Sequence, residues 1–324
     1  MQLPPATSTL EPGWWVVAMS KEVPHDRALK VQRFGRPMVL WRADGQVLAS
    51  WDGCPHRGAS FEGAPVRNGQ LICPFHSFSF DKTGACTAIP CDGPEAPRRG
   101  LQLRSLQVRE DVGLVWVWVA PGEATEDLPF FPAMRGTAPC DFAAEFVAPW
   151  DLVVETMLDY AHLPTVHTRS IGGGMAMAVQ VETRPTPQGL VLWVPANGTE
   201  GSGEIEWKAP ASWQLRLSPK VVNVAFFVPI DAQHTYVIFR FVQSFVTIPV
   251  VAHLVGWLAN LFNRRVVAED RAVIEGMART LLYFPQRDRL VAADAPIAAF
   301  RRARRAWLNA PASDAADPLP EPAP

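Results

Sequence analysis

Two short loops constrain this chain more than any other feature. Cys54-Pro55-His56 is followed, after sixteen intervening residues, by Cys73-Pro74-Phe75-His76. Each loop offers one thiolate and one imidazole. A two-iron, two-sulfide cluster can be held in this way, with both thiolates on one iron and both neutral imidazoles on the other. Pro55, Gly58 and Pro74 suit the tight loops such a site needs. The competing reading is a structural zinc ion on Cys₂His₂, but zinc loops usually pair like with like. The mixed pairing therefore points to Cys54, His56, Cys73 and His76 as ligands of a [2Fe–2S] cluster. Around the loops, Val31–Phe34, Met38–Trp41, Val47–Trp51 and Leu114–Val119 are rich in β-branched and aromatic residues. Gly35, Asp44 and Gly45 punctuate them. Residues 1–120 are expected to form a small all-β domain.

The chain has 324 residues, enough for a second domain. An α+β catalytic domain is expected over 121–308, with an antiparallel sheet flanked by helices. It follows a Pro-rich connection from Pro121 to Pro139. Strands are predicted at Phe142–Val147, Val179–Thr183, Leu190–Val194, Val221–Val228 and Thr235–Phe241, and helices at Leu152–Leu163 and Arg264–Leu282. Residues 309–324, rich in Ala, Pro and Asp, are expected to be a disordered tail. A net charge of −2 gives no basic face for nucleic acid. Met1 to Glu11 lacks the basic start and apolar run of a signal peptide, and a cytoplasmic location is expected. Without secretion, a disulfide framework is not expected either, and Cys86, Cys91 and Cys140 read as small buried apolar residues. Val246–Phe262 carries no Asp, Glu, Lys or Arg. It is read as a buried helix or oligomer contact, with no membrane contact expected. An interfacial patch is the alternative.

A second constellation lies in Glu155–His167. Asp159 and His162 are three apart and would share a helix face. Pro164 would break that helix and let His167 swing back. Two His and a carboxylate with open positions form the facial triad of non-heme Fe(II) oxygenases. The third ligand is sought in Arg264–Leu282, where Val266, Val273, Ile274, Met277 and Leu281 recur at helical spacing. Asp270 lies on that stripe, whereas Glu269, Arg271 and Glu275 lie off it. A lone Asp on an apolar face is costly unless paired or metal-bound. Asp270 is the expected ligand and Glu269 its substitute. A buried salt bridge at Asp270 and an ordinary helix carboxylate at Asp159 are the competing readings.

Trp51–Ser79 resembles the Rieske domain of ring-hydroxylating oxygenases. From Trp14 to about Arg305 the chain is similar to their short catalytic subunits, the vanillate demethylase, dicamba monooxygenase and saxitoxin-hydroxylase type. Rieske proteins of respiratory complexes carry an extra Cys in each loop. Ala59 and Phe75 stand there, so that bridge cannot form. The resemblance places the iron ligands at His162, His167 and Asp270. It also implies that Asp159 bridges His162 to His76 of a neighbouring subunit, which calls for a homotrimer. Many relatives have Asn where Thr156 stands, so the open side of the iron is expected to differ.

The implied chemistry is O₂ activation by Fe(II), with electrons from an external ferredoxin and/or flavin reductase. Ile171–Gly174 lacks the context of a nucleotide fingerprint. Hydroxylation or oxidative demethylation of a small, apolar cyclic substrate is expected. Desaturation or dihydroxylation by the same machinery, and a plain Rieske electron-transfer protein, are the alternatives. Ile171–Met177 and Trp193, Trp207, Phe226, Phe227 and Phe239 are expected to line the pocket, unless these aromatics are core.

Overall fold

The structure is a computed structural model. It describes residues 12–309 apart from 96, 98–99, 121–123, 125–126, 136–138, 179, 196–202 and 284–287. Of the expected tail only Asn309 is described, and the rest lies outside the described residues. Two compact units divide near residue 126.

Among the described residues the first unit has eleven short strands. β1 (Trp14–Met19), β10 (Val108–Asp111) and β11 (Leu114–Trp118) form one sheet in the order β1-β11-β10. β2 (Leu29–Arg33), β3 (Arg36–Ala43), β4 (Gln46–Trp51) and β9 (Ser105–Leu106) form a second. β5 (Val66–Arg67), β6 (Gln70–Ile72), β7 (Ser79–Phe80) and β8 (Cys86–Ala88) form a third. Two-residue turns at Asp44-Gly45 and Asn68-Gly69, with φ of 51°, 80°, 50° and 72°, join the β3–β4 and β5–β6 hairpins. Positive φ at both positions matches the twist of paired strands, and Asp/Asn then Gly adopt it at least cost. Trp41, Phe61, Leu71 and Phe80 fill a core that also encloses Cys54 and Cys73. Cys91, read as buried, is exposed.

The second unit is a seven-stranded antiparallel sheet in the order β12-β18-β17-β16-β15-β14-β13. Its strands are β12 (Cys140–Phe146), β13 (Glu182–Thr186), β14 (Gly189–Trp193), β15 (Glu204–Lys208), β16 (Ser212–Ser218), β17 (Val221–Pro229) and β18 (Thr235–Gln243). α1 (Trp150–Leu158) packs on β17, α3 (Pro249–Tyr283) on β12 and β18, and α4 (Ala295–Leu308) on β13 and β14. The short α2 (Leu163–Val166) lies between α1 and β13 in the chain. A buried bidentate pair, Arg240 on Asp141 at 2.7 and 2.8 Å, joins β18 to β12. Arg301 grips Glu155 at 2.6 and 2.7 Å and Arg304 reaches Asp151 at 2.6 Å, holding α4 to α1.

The structure corrects the sequence reading of α3. The helix begins at Pro249, fifteen residues before Arg264, and it presents its small side to the sheet. Ala252, Gly256 and Asn260 are buried. Gly256 lies so near β12 that a Cβ there would stand 2.7 Å from Cys140 Cβ, and Asn260 Nδ2 donates to the Cys140 carbonyl at 2.9 Å. Close approach by small residues turns the large ones outward, so Val246–Phe262 is not a buried helix. Further along, the buried line is Val267, Asp270, Ile274 and Ala278, while Val273 and Met277 are exposed.

α4 carries the second unit's least expected core residue. Phe300 is fully buried and meets Trp207 edge-on at 5.0 Å and Trp150 at 6.5 Å. Phe300→Ala should destabilise this unit by about 3–5 kcal/mol. Urea unfolding followed by tryptophan fluorescence checks the loss.

Candidate metal centres

The two cysteine loops of the first unit are closed alike. Cys54 N donates to Ala59 O and Gly58 N to Cys54 O, at 2.9 and 2.7 Å; Cys73 N donates to Phe78 O and Ser77 N to Cys73 O, at 2.8 and 3.0 Å. Gly58 and Ser77 occupy the same place in their loops, both left-handed, with φ of 74° and 59°. The second loop joins β6 to β7. The first follows β4 and is tied across by Asp52, whose carboxylate accepts from Phe61 N at 2.7 Å and from the Ser60 hydroxyl at 2.6 Å.

The matched loops bring the imidazoles of His56 and His76 to a centroid distance of 4.9 Å, with His56 stacked on Phe78. Burial pushes the Cys54 thiol up to about 11, against the pull of the His56 and Arg57 backbone N–H groups, and the neighbouring Cys73 thiol adds to the rise. His76 Nδ1 is buried without a hydrogen-bond partner. Two buried thiols and an orphaned imidazole nitrogen are costly on their own and fit a [2Fe–2S] cluster, one iron of which would take the thiolates and the other the imidazole.

In the second unit the local structure departs from the expected helix. α1 ends at Leu158, with Asp159 extended at its C-cap, not at Pro164. Asp159 Oδ1 accepts the Ala161 N–H at 2.7 Å, the local side-chain bond by which Asp competes with helix. Pro164 sits in the first turn of α2, where its missing N–H costs nothing. His162 and His167 thus flank α2 as its N-cap and C-cap. Asp159 and His162 meet across a turn and not along a helix face, with Oδ2 3.5 Å from Nδ1.

Asp270 completes the group. Its Oδ1 lies 2.9 Å from His167 Nε2 and 3.4 Å from His162 Nε2, and the two Nε2 atoms are 3.3 Å apart. His167 and Asp270 are only 1% and 4% exposed. Among the described residues these three form the one cluster whose donor atoms all lie within 4.8 Å. Asp270 Oδ1 is buried yet has no hydrogen bond. A carboxylate oxygen and two imidazole nitrogens facing one point is a donor set that fits iron.

The electrostatics follow. Burial pulls the His162 imidazolium down, but Asp159 and Asp270 outweigh it and lift the group to about 9. Burial raises the Asp270 carboxyl, and the two imidazoles more than reverse this, holding it below the usual carboxylate range. Glu269, the substitute ligand of the sequence reading, points elsewhere. It receives His167 Nδ1 at 2.8 Å and the Ser170 hydroxyl at 2.5 Å, and the Ser170 bond first, then His167, lowers its pKa. Each imidazole therefore has a carboxylate behind it, Asp159 for His162 and Glu269 for His167. The Glu269 and Ser170 roles were missed, because helical position alone gives no partner for a side chain off the stripe. Thr156 turns its hydroxyl onto its own helix at Leu152 O, 3.1 Å away.

Of the expected pocket aromatics, Trp207, Phe226 and Phe227 are fully buried, and Phe239 stacks on Phe142 at 5.1 Å, so they serve the core. Ile171, Met175 and Met177 are exposed. A cavity of about 1000 Å³ lies between α1, α4 and the end of α3, and none of the metal donors lines it.

Comparison with known proteins assigns a domain to each unit. Residues 13–108 match the Rieske [2Fe-2S] domain and residues 146–310 the vanillate O-demethylase oxygenase C-terminal domain. Chlorophyllide a oxygenase of Chlamydomonas reinhardtii is 32% identical over 50% of this chain and 25% of its own. The 4beta-methylsterol monooxygenase of Methylococcus capsulatus is 26% identical over 78% and 72%. The chain spans a quarter to about half the length of the chlorophyllide a oxygenases it matches first. The crystal structure of dicamba monooxygenase bound to 3,6-dichlorosalicylic acid superposes with a TM-score of 0.80 at 21% identity, over 93% of this chain and 98% of that one. The chain belongs to the Rieske non-heme iron oxygenases, in the branch with a vanillate O-demethylase-type C-terminal domain.

If Glu269 fixes the His167 tautomer, Glu269→Ala should weaken mononuclear iron binding roughly 10–100-fold and leave the visible absorption of the cluster unchanged. Iron retained after equilibrium dialysis against a chelator reports the change.

Proposed function

We propose that this protein is the terminal oxygenase of an electron-transfer chain, hydroxylating or oxidatively demethylating a small apolar cyclic substrate. The observation that carries the reading is the buried cage of His162, His167 and Asp270, which a Rieske electron carrier would not need. In this reading Cys54, His56, Cys73 and His76 hold the cluster, and His162, His167 and Asp270 hold the iron. When bound, the two groups supply one-electron storage and reductive use of O₂, with electrons from an external ferredoxin or flavin reductase. Relatives named for chlorophyllide and methylsterol oxidation support a cyclic, apolar substrate. Cysteines free of disulfides suit a reducing, cytoplasmic setting.

The chain's own residues prepare the site. Asp270 stays ionised between two imidazoles. Glu269 accepts the Nδ1 proton of His167, and Asp159 stands at Nδ1 of His162, so both rings present Nε2 to Asp270. Asp159 is only partly buried, its side chain 20% exposed. It would accept from His76 of the partner subunit in a homotrimeric ring, joining the two centres through one carboxylate.

Asp159→Asn tests this. Asn offers one acceptor oxygen where Asp offers two, so it cannot serve two imidazole N–H groups. Both metals should load and the oligomer should form, while single-turnover electron transfer from reduced cluster to iron falls by orders of magnitude. Co-assembly of Asp159→Asn with Cys54→Ala chains should restore part of the activity, because some intact clusters then abut intact bridges. No recovery in a verified mixed oligomer would confine transfer to one chain.

A further inference from the structure

The first half of α3 is built inside out. Val250, Leu254, Trp257, Leu258, Leu261 and Phe262 share one helix face, at i, i+4, i+7, i+8, i+11 and i+12. All six are exposed, Val250 to 80% and Trp257 to 55%, while Ala252, Gly256 and Asn260 face the sheet. The stripe runs about 18 Å along the helix at 1.5 Å per residue. Phe245 and Ile248, also exposed, extend it ahead of the helix. A contiguous apolar face of this length marks an interaction site and not a solvated surface.

Charge identifies the occupant. No Asp or Glu occurs between Asp231 and Glu269, and cations stand at both ends of the stripe. Lys220 is exposed at the near end, where its carbonyl accepts from Ser244 N at 2.9 Å. Arg264 and Arg265 are exposed at the far end, Arg264 lying over the Phe142 ring at 4.6 Å and Arg265 paired with Glu269 at 3.5 Å, and Arg265, fifteen residues after Val250, continues the line of the stripe. A second copy bringing the same cation-rimmed face would set like charges together. An anionic lipid surface would answer both the apolar stripe and its basic ends. Among the described residues no helix is long and apolar enough to cross a membrane, and the one-sided stripe suits a helix lying in the headgroup plane. Asp270 follows Phe262 by eight residues, about 12 Å along the same helix.

We propose that residues 245–265 dock this protein on an anionic bilayer, with α3 in the plane of the headgroups and the loop after His167 toward the lipid. Arg265 links the two parts, donating to Arg169 O in that loop at 3.4 Å. An apolar substrate dissolved in lipid would then reach the oxygenase without crossing water. The binding claim stands whether or not the oxygenase reading holds.

The test uses the holoprotein and sucrose-loaded vesicles of phosphatidylcholine with phosphatidylglycerol. The protein should sediment with these vesicles, less with phosphatidylcholine alone, and less as salt rises. Leu254→Glu/Leu258→Glu should lower the partition at least tenfold, with cluster absorption, circular dichroism and oligomer mass unchanged. Arg264→Gln should weaken binding to the anionic vesicles only. Holoprotein that stays in the supernatant at millimolar anionic lipid overturns the proposal. So does a double variant that binds as wild type. A double variant that loses oligomer mass also overturns it and assigns the face to a subunit contact.

Discussion

Asp270 is a carboxylate on the buried side of a long helix, with one oxygen facing two imidazole nitrogens and no hydrogen bond to that oxygen. Removing one member of a buried ion pair costs about 3–5 kcal/mol, and an unpaired buried charge costs as much. The fold must therefore hold His162 and His167 opposite Asp270, and much of the second unit does so. α3 is anchored to β12 by close approach at Gly256 and by Asn260. The turn between α1 and α2 sets His162, and α2 itself, with Pro164 in its first turn, sets His167. Behind the rings, Glu269 accepts from His167 Nδ1 at 2.8 Å, and Asp159 stands 3.5 Å from His162 Nδ1. Electrostatic preorganisation of this kind lets a site receive a metal without rearranging.

The first unit solves a related problem differently. Its two loops repeat one backbone pattern, so two thiols and two imidazoles come together from separate turns. Tight hairpins place these loops, and side-chain packing serves mainly to bury the sulfurs. The donors are thus set by backbone hydrogen bonds in one unit and by side-chain carboxylates in the other.

Much of this was legible in the sequence where chemistry is local. The cysteine loops, the Asp44-Gly45 break between strands and the spacing of Asp159, His162 and His167 announce themselves, because each depends on a few adjacent residues. Asp270 was found through the cost of a charge on an apolar stripe. The stripe itself was misplaced by one helix position, since Val273 and Met277 are exposed and Val267 and Ala278 are buried. The α1 boundary was misplaced because Asp159 caps its own turn, a local competition that periodicity does not register. β15, β16 and α4 were missed for another reason. Glu204–Lys208 and Ser212–Ser218 do alternate polar and apolar residues, so the strand signal was present but short, and the arginines of α4 are held by partners far along the chain, such as Glu155 for Arg301. The outward face of α3 was unreadable because hydrophobicity reports that a side chain avoids water, not what it meets instead.

If one chain holds an iron at His162, His167 and Asp270 as well as the cluster, iron analysis of the purified protein reads both centres at once. Paired with acid-labile sulfide, it should give about three irons and two sulfides per chain. His167→Ala and Asp270→Ala should each give about two irons with the sulfide unchanged. Two irons per chain in the wild-type protein, not raised by anaerobic incubation with Fe(II), would contradict the account and leave an electron carrier.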